Sequence, residues 1–284
     1  MSNIKTMVRG AYDIQKLRIQ MGNRIVGNFK AKLGQEPSMP ESEIGDDGAK
    51  ILAELRREYK KITDGVKTFP RQSNFKGNEV ISNYTELCLL AQYVDLEMEE
   101  ERHFSRLGNI LKDYPIYTEF LAPIKGIGPA MAGVIVSEID IHAATYPSSL
   151  WAYCGLDVWP DGGGRSKRKG HLVEKEYIDK DGKPATRVGI TFNPFLKTKL
   201  VGVLSSCLIR AGNEKYSTIY RNYKNRIENM EAHKDKTKLH RDNMAKRYMI
   251  KQFLVDLHMK WRELEGLPVS TSYHEGKLGH LHSG

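Results

Sequence analysis

Two stretches of the chain carry residues whose types and spacing suit the binding of phosphate. In Ile124-Lys125-Gly126-Ile127-Gly128-Pro129-Ala130, a Gly-x-Gly turn lies between two apolar helical patterns, with Tyr117, Phe120 and Leu121 before it and Ala132, Val134, Ile135 and Ile139 after it. Glycines let the main chain approach a ligand closely and tolerate positive φ. Pro129 suits the first position of a helix, where the N–H it lacks would have no partner anyway. The free N–H groups at the positive end of that helix then face outward, in a geometry that suits phosphate. The two helices expected around the turn make a helix-hairpin-helix, a device that grips the backbone of DNA or RNA. The plain alternative is a tight helix-helix turn with no ligand. The second stretch is Asp161-Gly162-Gly163-Gly164-Arg165-Ser166-Lys167-Arg168-Lys169-Gly170, rich in glycine and in positive charge. The candidate nucleic-acid contacts are Lys125, Gly126, Gly128, Arg165, Lys167, Arg168 and Lys169, with Lys197 and Lys199 on a later helix.

The charge is divided in the same sense. Of 44 Lys+Arg and 35 Asp+Glu, residues 1–120 hold 18 of each, so the remainder holds 26 against 17 and carries the whole excess of +9. A neutral half joined to a basic half is the pattern expected when only one half touches a polyanion. The 284 residues, 40% of them apolar, can bury one or two ordinary cores. No apolar run approaches the length of a membrane span, and the start Met1-Ser2-Asn3-Ile4-Lys5 shows no signal-peptide core. A soluble, intracellular, nucleoid-associated protein with no membrane partner is expected. Cys88, Cys154 and Cys207 stand far apart and form no C-x-x-C pair, which fits small core residues in a reducing compartment.

The elements that must position these residues read as mostly helical. Apolar residues recur every three or four positions over residues 4–33, which predicts one long helix, or two broken near Gly22, ended by Gly34. Further helices are expected over residues 49–64 and 84–112, the latter with Leu87, Ala91, Val94, Met98, Phe104, Leu107 and Leu111 inward. Ser148 or Ser149 can cap a short helix ahead of Tyr153-Cys154-Gly155-Leu156. Asp181-Gly182 between two strand-like runs predicts a β-hairpin. Asn193 then caps a helix with Pro194 at its first position, burying Leu196, Leu200, Val203, Leu204, Cys207 and Leu208. Tyr216, Ile219, Tyr220, Tyr223 and Ile227 form one helical face, suited to core packing or to stacking on bases beside Arg221 and Arg226. After a charged loop over residues 228–240, a last helix over 243–263 buries Tyr248, Ile250, Phe253, Leu254, Leu257 and Trp261. The tail from Ser270, with His274, His280 and His282, matches no structural zinc spacing and is expected to be disordered.

The order of these pieces resembles the C-terminal domain of the insertion-sequence transposases of the 110/116/902 group. The resemblance runs through the Ile124–Pro129 turn, Ser137-Glu138-Ile139-Asp140, Tyr146-Pro147-Ser148, Trp151-Ala152-Tyr153-Cys154-Gly155-Leu156, the Gly-rich basic segment, Asn193-Pro194-Phe195-Leu196-Lys197 and Asn243-Met244-Ala245-Lys246-Arg247. It covers about 145 residues, by this reading of the sequence. It implies DNA as partner, a guide RNA as a source of specificity, and a role in transposition or recombination. It also implies a nucleophilic serine in the Gly-rich segment, where Ser166 is the only hydroxyl and is displaced in spacing. A serine becomes a useful nucleophile when a base or metal activates it and donors stabilise the developing charge. Arg165, Lys167 and Arg168 can supply the donors, while the sequence offers no visible activator. The bland alternative is a hydroxyl in a phosphate-contacting loop.

The family's N-terminal ribonuclease-H-like domain supplies four carboxylates for metal ions, opening with an Asp on its first strand. Here the opening reads as helical and no such constellation is recognised, so no cofactor is evident and magnesium enters only if catalysis occurs with a partner. The long helix over residues 84–112 looks like the family's coiled-coil arm, which implies a homo-oligomer. The expected fold is therefore mainly α. A helical, self-associating domain with a coiled-coil-like helix (1–113) precedes a helix-hairpin-helix-containing, DNA-binding helical domain with one inserted β-hairpin (114–269) and a disordered tail (270–284). The rival functions are an active recombinase using Ser166 with a partner's metal site, and a non-enzymatic helical scaffold whose basic half docks on an acidic protein.

Overall fold

The computed structural model describes residues 3–35 and 43–269, and over these the chain is mainly α with one small antiparallel sheet. The histidines of the tail fall outside the described residues. The chain divides into two compact units, Met1–Leu107 and Gly108–Gly284.

The first unit is built from α1 (Asn3–Lys32), α2 (Asp46–Thr63) and most of α3 (Tyr84–Leu111). Gly34, at φ 72°, ends α1 and lets the Gln35 N–H close on the Lys30 carbonyl at 2.9 Å. Gly22 does not break α1; a Cβ there would stand 2.9 Å from Ile44 and 3.0 Å from Tyr93, so the glycine admits close packing. Asp46 and Asp47 in the first turn of α2 and Lys60 and Lys61 in its last turn match the helix dipole. Ahead of α3, the Asn83 side chain accepts from the Glu86 N–H at 3.0 Å, and Glu86 accepts from the Ser82 N–H at 2.7 Å, a reciprocal cap. Ile25, Val26, Leu52, Leu55, Ile81, Leu87, Leu90 and Tyr93 form the core. The buried face of α3 thus runs through Leu90 and Tyr93, and Met98, expected inward, is exposed.

In the second unit a five-residue π-helical turn, Tyr117–Leu121, precedes the loop that leads into α4 (Pro129–Glu138). Next comes α5 (Pro147–Tyr153), whose start lies one residue ahead of the serines expected to cap it. Pro147 takes the first helical position, where its fixed φ fits, and Tyr146 precedes it with no side-chain cap. Strands β1 (Val173–Ile178) and β2 (Pro184–Gly189) pair antiparallel, with Val173 opposite Gly189, and project mostly exposed side chains. Gly182 (φ 77°) and the Asp179 carboxylate, which accepts from the Asp181 and Lys183 N–H groups, shape their turn.

Asn193 caps α6 (Pro194–Lys197) as expected, accepting from the Leu196 N–H at 3.0 Å. That helix runs on through a π-helical stretch, Thr198–Leu204, into α7 (Ser205–Arg210). The wider turn rotates the side chains after it, so Leu200, Leu204 and Leu208 are buried while Val203, expected in the same stripe, is 37% exposed. α8 (Glu214–Glu228) packs along α9 (Lys238–Leu264), the central helix of the unit. α9 begins earlier than residue 243 because the Thr237 side chain caps it, accepting from the His240 N–H. Tyr216 and Tyr220 are buried and donate to Asp256 and Asp242, and Tyr223 stacks on Tyr248 at 4.0 Å between centroids. Tyr216 and Tyr220 are core, and the stacked Tyr223 and Tyr248 are half-buried beside them. Arg262 and His258 of α9 bond the Ala144 carbonyl, fixing the loop that follows α4.

Candidate functional site

The Gly-x-Gly turn uses its two glycines differently. Gly126 has φ 104°, and a Cβ there would meet the Cys207 carbonyl oxygen at 3.0 Å and the Ala211 Cβ at 3.2 Å. Its role is to let the turn sit on the end of α7. The Asn213 side chain, which caps α8, also donates to the Lys125 carbonyl at 3.3 Å, a second tie on the same turn. Gly128 is in extended backbone at the N-cap of α4, is exposed, and has open space where a Cβ would lie. α4 has no side-chain cap, and Lys125 is exposed beside this end.

The Gly-rich segment is an ordered structure. Trp159 and Gly163 pair across a tight turn (N–H to carbonyl, 2.8 Å), Gly162 takes φ 76°, and the Arg165 N–H reaches the Asp157 carbonyl at 3.1 Å. The chain then folds back through a single 3-10 turn, Lys169–His171, into β1. Within this small hairpin the Arg165 guanidinium grips the Asp157 carboxylate with Nε at 2.7 Å from Oδ1, donates to Thr191, and lies 4.6 Å from the centre of the Trp159 ring. Only 14% of its side chain is exposed. Arg165 is thus a strut of the loop, whereas Lys167, Arg168 and Lys169 are exposed around it.

Lys197 points at the same strut, its ammonium 2.5 Å from the Arg165 carbonyl and 4.7 Å from the Phe192 ring centre. Burial, then repulsion by Arg247, pushes its pKa down to about 8 against the pull of Asp157. Lys251 is held low by burial too, with Arg247 adding to the effect and Asp157 opposing it. Arg247 stands next to the glycine segment: a Cβ on Gly164 would fall 2.8 Å from its Nη1. Arg247 and Lys251 share one face of α9 and join Arg165 and Lys197 in a cationic cluster around one carboxylate. Sequence reasoning missed this pair, although their i,i+4 spacing was the available signal. The Lys199 ammonium lies 5.7 Å from the Phe195 ring centre.

Ser166 occupies the centre of the folded-back loop. Its Oγ is 3.2 Å from His171 Nδ1 and accepts from Arg168 Nε at 3.0 Å. His171, 2% exposed and stacked on Trp159, has its Nε2 2.8 Å from Asp161 Oδ2. The imidazole, then the Gly163 N–H, hold the Asp161 carboxyl below the usual carboxylate range. The sequence offered no activator for Ser166, yet two residues five positions either side of it supply an imidazole and a carboxylate. Equal spacing of Asp161, Ser166 and His171 about a Gly-rich turn was the signal available.

Among the described residues no group of three or more His, Cys, Asp or Glu is placed to hold a metal ion. Among the same residues no helix is long and apolar enough to cross a membrane. No curated protein and no solved structure matches the chain. A family model does match, over the stretch that begins in the π-helical turn, passes the Gly-x-Gly turn and the serine loop, and ends in β1. Over residues 118–177 the chain is similar to the transposase IS116/IS110/IS902 family.

Proposed function

We propose that this protein acts in DNA transposition or recombination, and that its Gly108–Gly284 unit holds the DNA backbone. The observation that carries the reading is the exposed run Lys167-Arg168-Lys169, presented on an ordered turn inside the segment that matches the transposase family. The exposed, uncapped start of α4 beside Lys125 supports a second phosphate contact, read as a helix-hairpin-helix. The cluster of Arg165, Lys197, Arg247 and Lys251 adds positive potential behind the loop. Phosphate contacts carry no base identity, so choice of target falls to another component, such as the guide RNA that the resemblance implies. The helical first unit is read as the self-associating part. The test is a salt titration of DNA binding. Each phosphate neutralised gives a slope of about −0.9 in log K against log salt, so replacing Lys167, Arg168 and Lys169 together flattens the slope by about 2 to 3. Binding indifferent to salt removes the proposal.

A second reading makes Ser166 a nucleophile toward a DNA phosphodiester. The specific observation in its favour is that Ser166 Oγ meets an imidazole nitrogen on one side and a guanidinium on the other. It is tested by trapping a covalent Ser166–DNA adduct that Ser166→Ala does not form.

A further inference from the structure

We propose that His171, oriented by Asp161, is the general base that takes the proton of Ser166 Oγ; the inference rests on the reading of Ser166 as a nucleophile. Hydrogen-bond bookkeeping leads to it. Asp161, an ionised acceptor, faces His171 Nε2 at 2.8 Å, so that nitrogen carries the ring proton. The Ser166 main-chain N–H points at Nδ1 at 3.0 Å, so Nδ1 presents a lone pair. Ser166 Oγ already accepts from Arg168 Nε at 3.0 Å and from the Arg168 N–H at 3.3 Å, which leaves its own hydrogen to donate toward Nδ1, 3.2 Å away. The tautomer follows from these partners, and the hydroxyl shares the one Nδ1 lone pair with the nearer main-chain N–H.

Each part then has one role. Asp161 fixes the ring and stabilises the imidazolium that forms, as a positioning residue. Burial against Trp159 holds the ring plane, with 5.4 Å between centroids and 26° between planes. Arg168 places two donors where negative charge develops on Oγ. In the step itself the Oγ–H proton passes to Nδ1, a bond forms from Oγ to the DNA phosphorus, and the bond from that phosphorus to one deoxyribose oxygen breaks. The proton on Nδ1 then passes to the leaving deoxyribose oxygen. One diester is exchanged for another, with no change in oxidation state. As Nδ1 gains its proton, the Ser166 N–H loses its acceptor.

The test uses the full-length protein and a fluorophosphonate probe, whose P–F bond breaks as Oγ adds and whose fluoride leaves. The rate of addition is read by intact mass and its site by peptide mass, with thermal melting followed in parallel. Wild type adds the probe at Ser166, and Ser166→Ala does not. His171→Asn keeps an acceptor for the Ser166 N–H but cannot take a proton, and it slows addition by about 10²- to 10⁴-fold. His171→Ala regains rate when free imidazole is added. Asp161→Asn is slowed without regaining rate in imidazole, because its ring is present with the proton on the wrong nitrogen. Addition to His171→Asn as fast as to wild type, no imidazole rescue in a His171→Ala protein that still melts cooperatively, or no labelling of Ser166 in wild type overturns the inference. A covalent DNA adduct separates the two levels. If Ser166→Ala loses it while His171→Asn forms it at the wild-type rate, the base assignment falls and the nucleophile stands. If wild type forms none, or Ser166→Ala forms as much, the nucleophile reading falls.

Discussion

The two glycines of the Gly126-Ile127-Gly128 turn respond oppositely to the same substitution. Gly126→Ala puts a side chain at φ 104°, a region that costs a non-glycine residue about 1 to 3 kcal/mol. The new methyl also meets the Cys207 carbonyl oxygen at 3.0 Å and the Ala211 Cβ at 3.2 Å. Neither neighbour is the free end of a flexible side chain, so overpacking adds about 1 to 3 kcal/mol. A total of about 4 kcal/mol lowers the melting temperature of a unit this size by roughly 8 to 16 °C. Gly128→Ala has no atom within 4 Å of its Cβ and ordinary extended backbone, so its stability stays within about 0.5 kcal/mol of wild type. Its methyl lies at the start of α4, where a phosphate is read to approach. Loss of one charged hydrogen bond of about 1.5 kcal/mol weakens DNA binding about tenfold. Thermal melting and fluorescence-anisotropy binding on the same preparations read both effects. Gly126→Ala melting within a degree of wild type, or Gly128→Ala melting as low as Gly126→Ala, refutes the division of labour.

Other outcomes follow from the same contacts. Arg165→Met leaves Asp157 without the guanidinium that grips it and destabilises the unit by roughly 3 kcal/mol, measured by urea unfolding, while replacement of Lys167, Arg168 and Lys169 leaves the midpoint unchanged. Asp242 bridges α8 and α9; burial raises its pKa, but hydrogen bonds from Lys246, Tyr220 and Lys224 outweigh this and bring it to about 2. Because the folded value is depressed, its stabilisation is complete above the ordinary carboxylate range and is lost as pH falls toward about 2. Asp242→Asn therefore costs roughly 2 kcal/mol at pH 7, and unfolding curves of the two proteins converge as the pH approaches 2. Equal acid sensitivity of variant and wild type across that range contradicts the assignment.

What the sequence made legible was local. Apolar periodicity located α1, α2 and α3, and Asn193-Pro194 announced α6 because a capping side chain and a proline at the first helical position both act within one turn. The inward face of α3 was misplaced at Met98 because periodicity alone allows neighbouring stripes, and only the partners across the core select one. Val203 was misplaced because the π-helical turn at Thr198–Leu204 changes the period itself. At Gly22 the sequence allowed one helix or two; the helix is continuous, and the glycine makes room for Ile44, which a Cβ would meet at 2.9 Å. The serine loop shows the same limit most sharply. Ser166 was visible from the resemblance, whereas Asp161 and His171 gained meaning only when positive φ at Gly162 and the Lys169–His171 turn folded the segment back on itself. Arg165 read as one more loop cation, and its inward fork to Asp157 depends on Trp159 and Thr191 completing its surroundings.

The central claim is that the second unit, through its turn and its serine loop, is what touches DNA. Photo-crosslinking to a duplex bearing photoreactive groups on its phosphates, followed by mass spectrometry of the attached peptides, tests it directly. The account predicts adducts at Lys125–Gly128 and at Lys167–Lys169, both lost as salt is raised. Adducts confined to Met1–Leu107, or a peptide map that ignores both segments, contradict it.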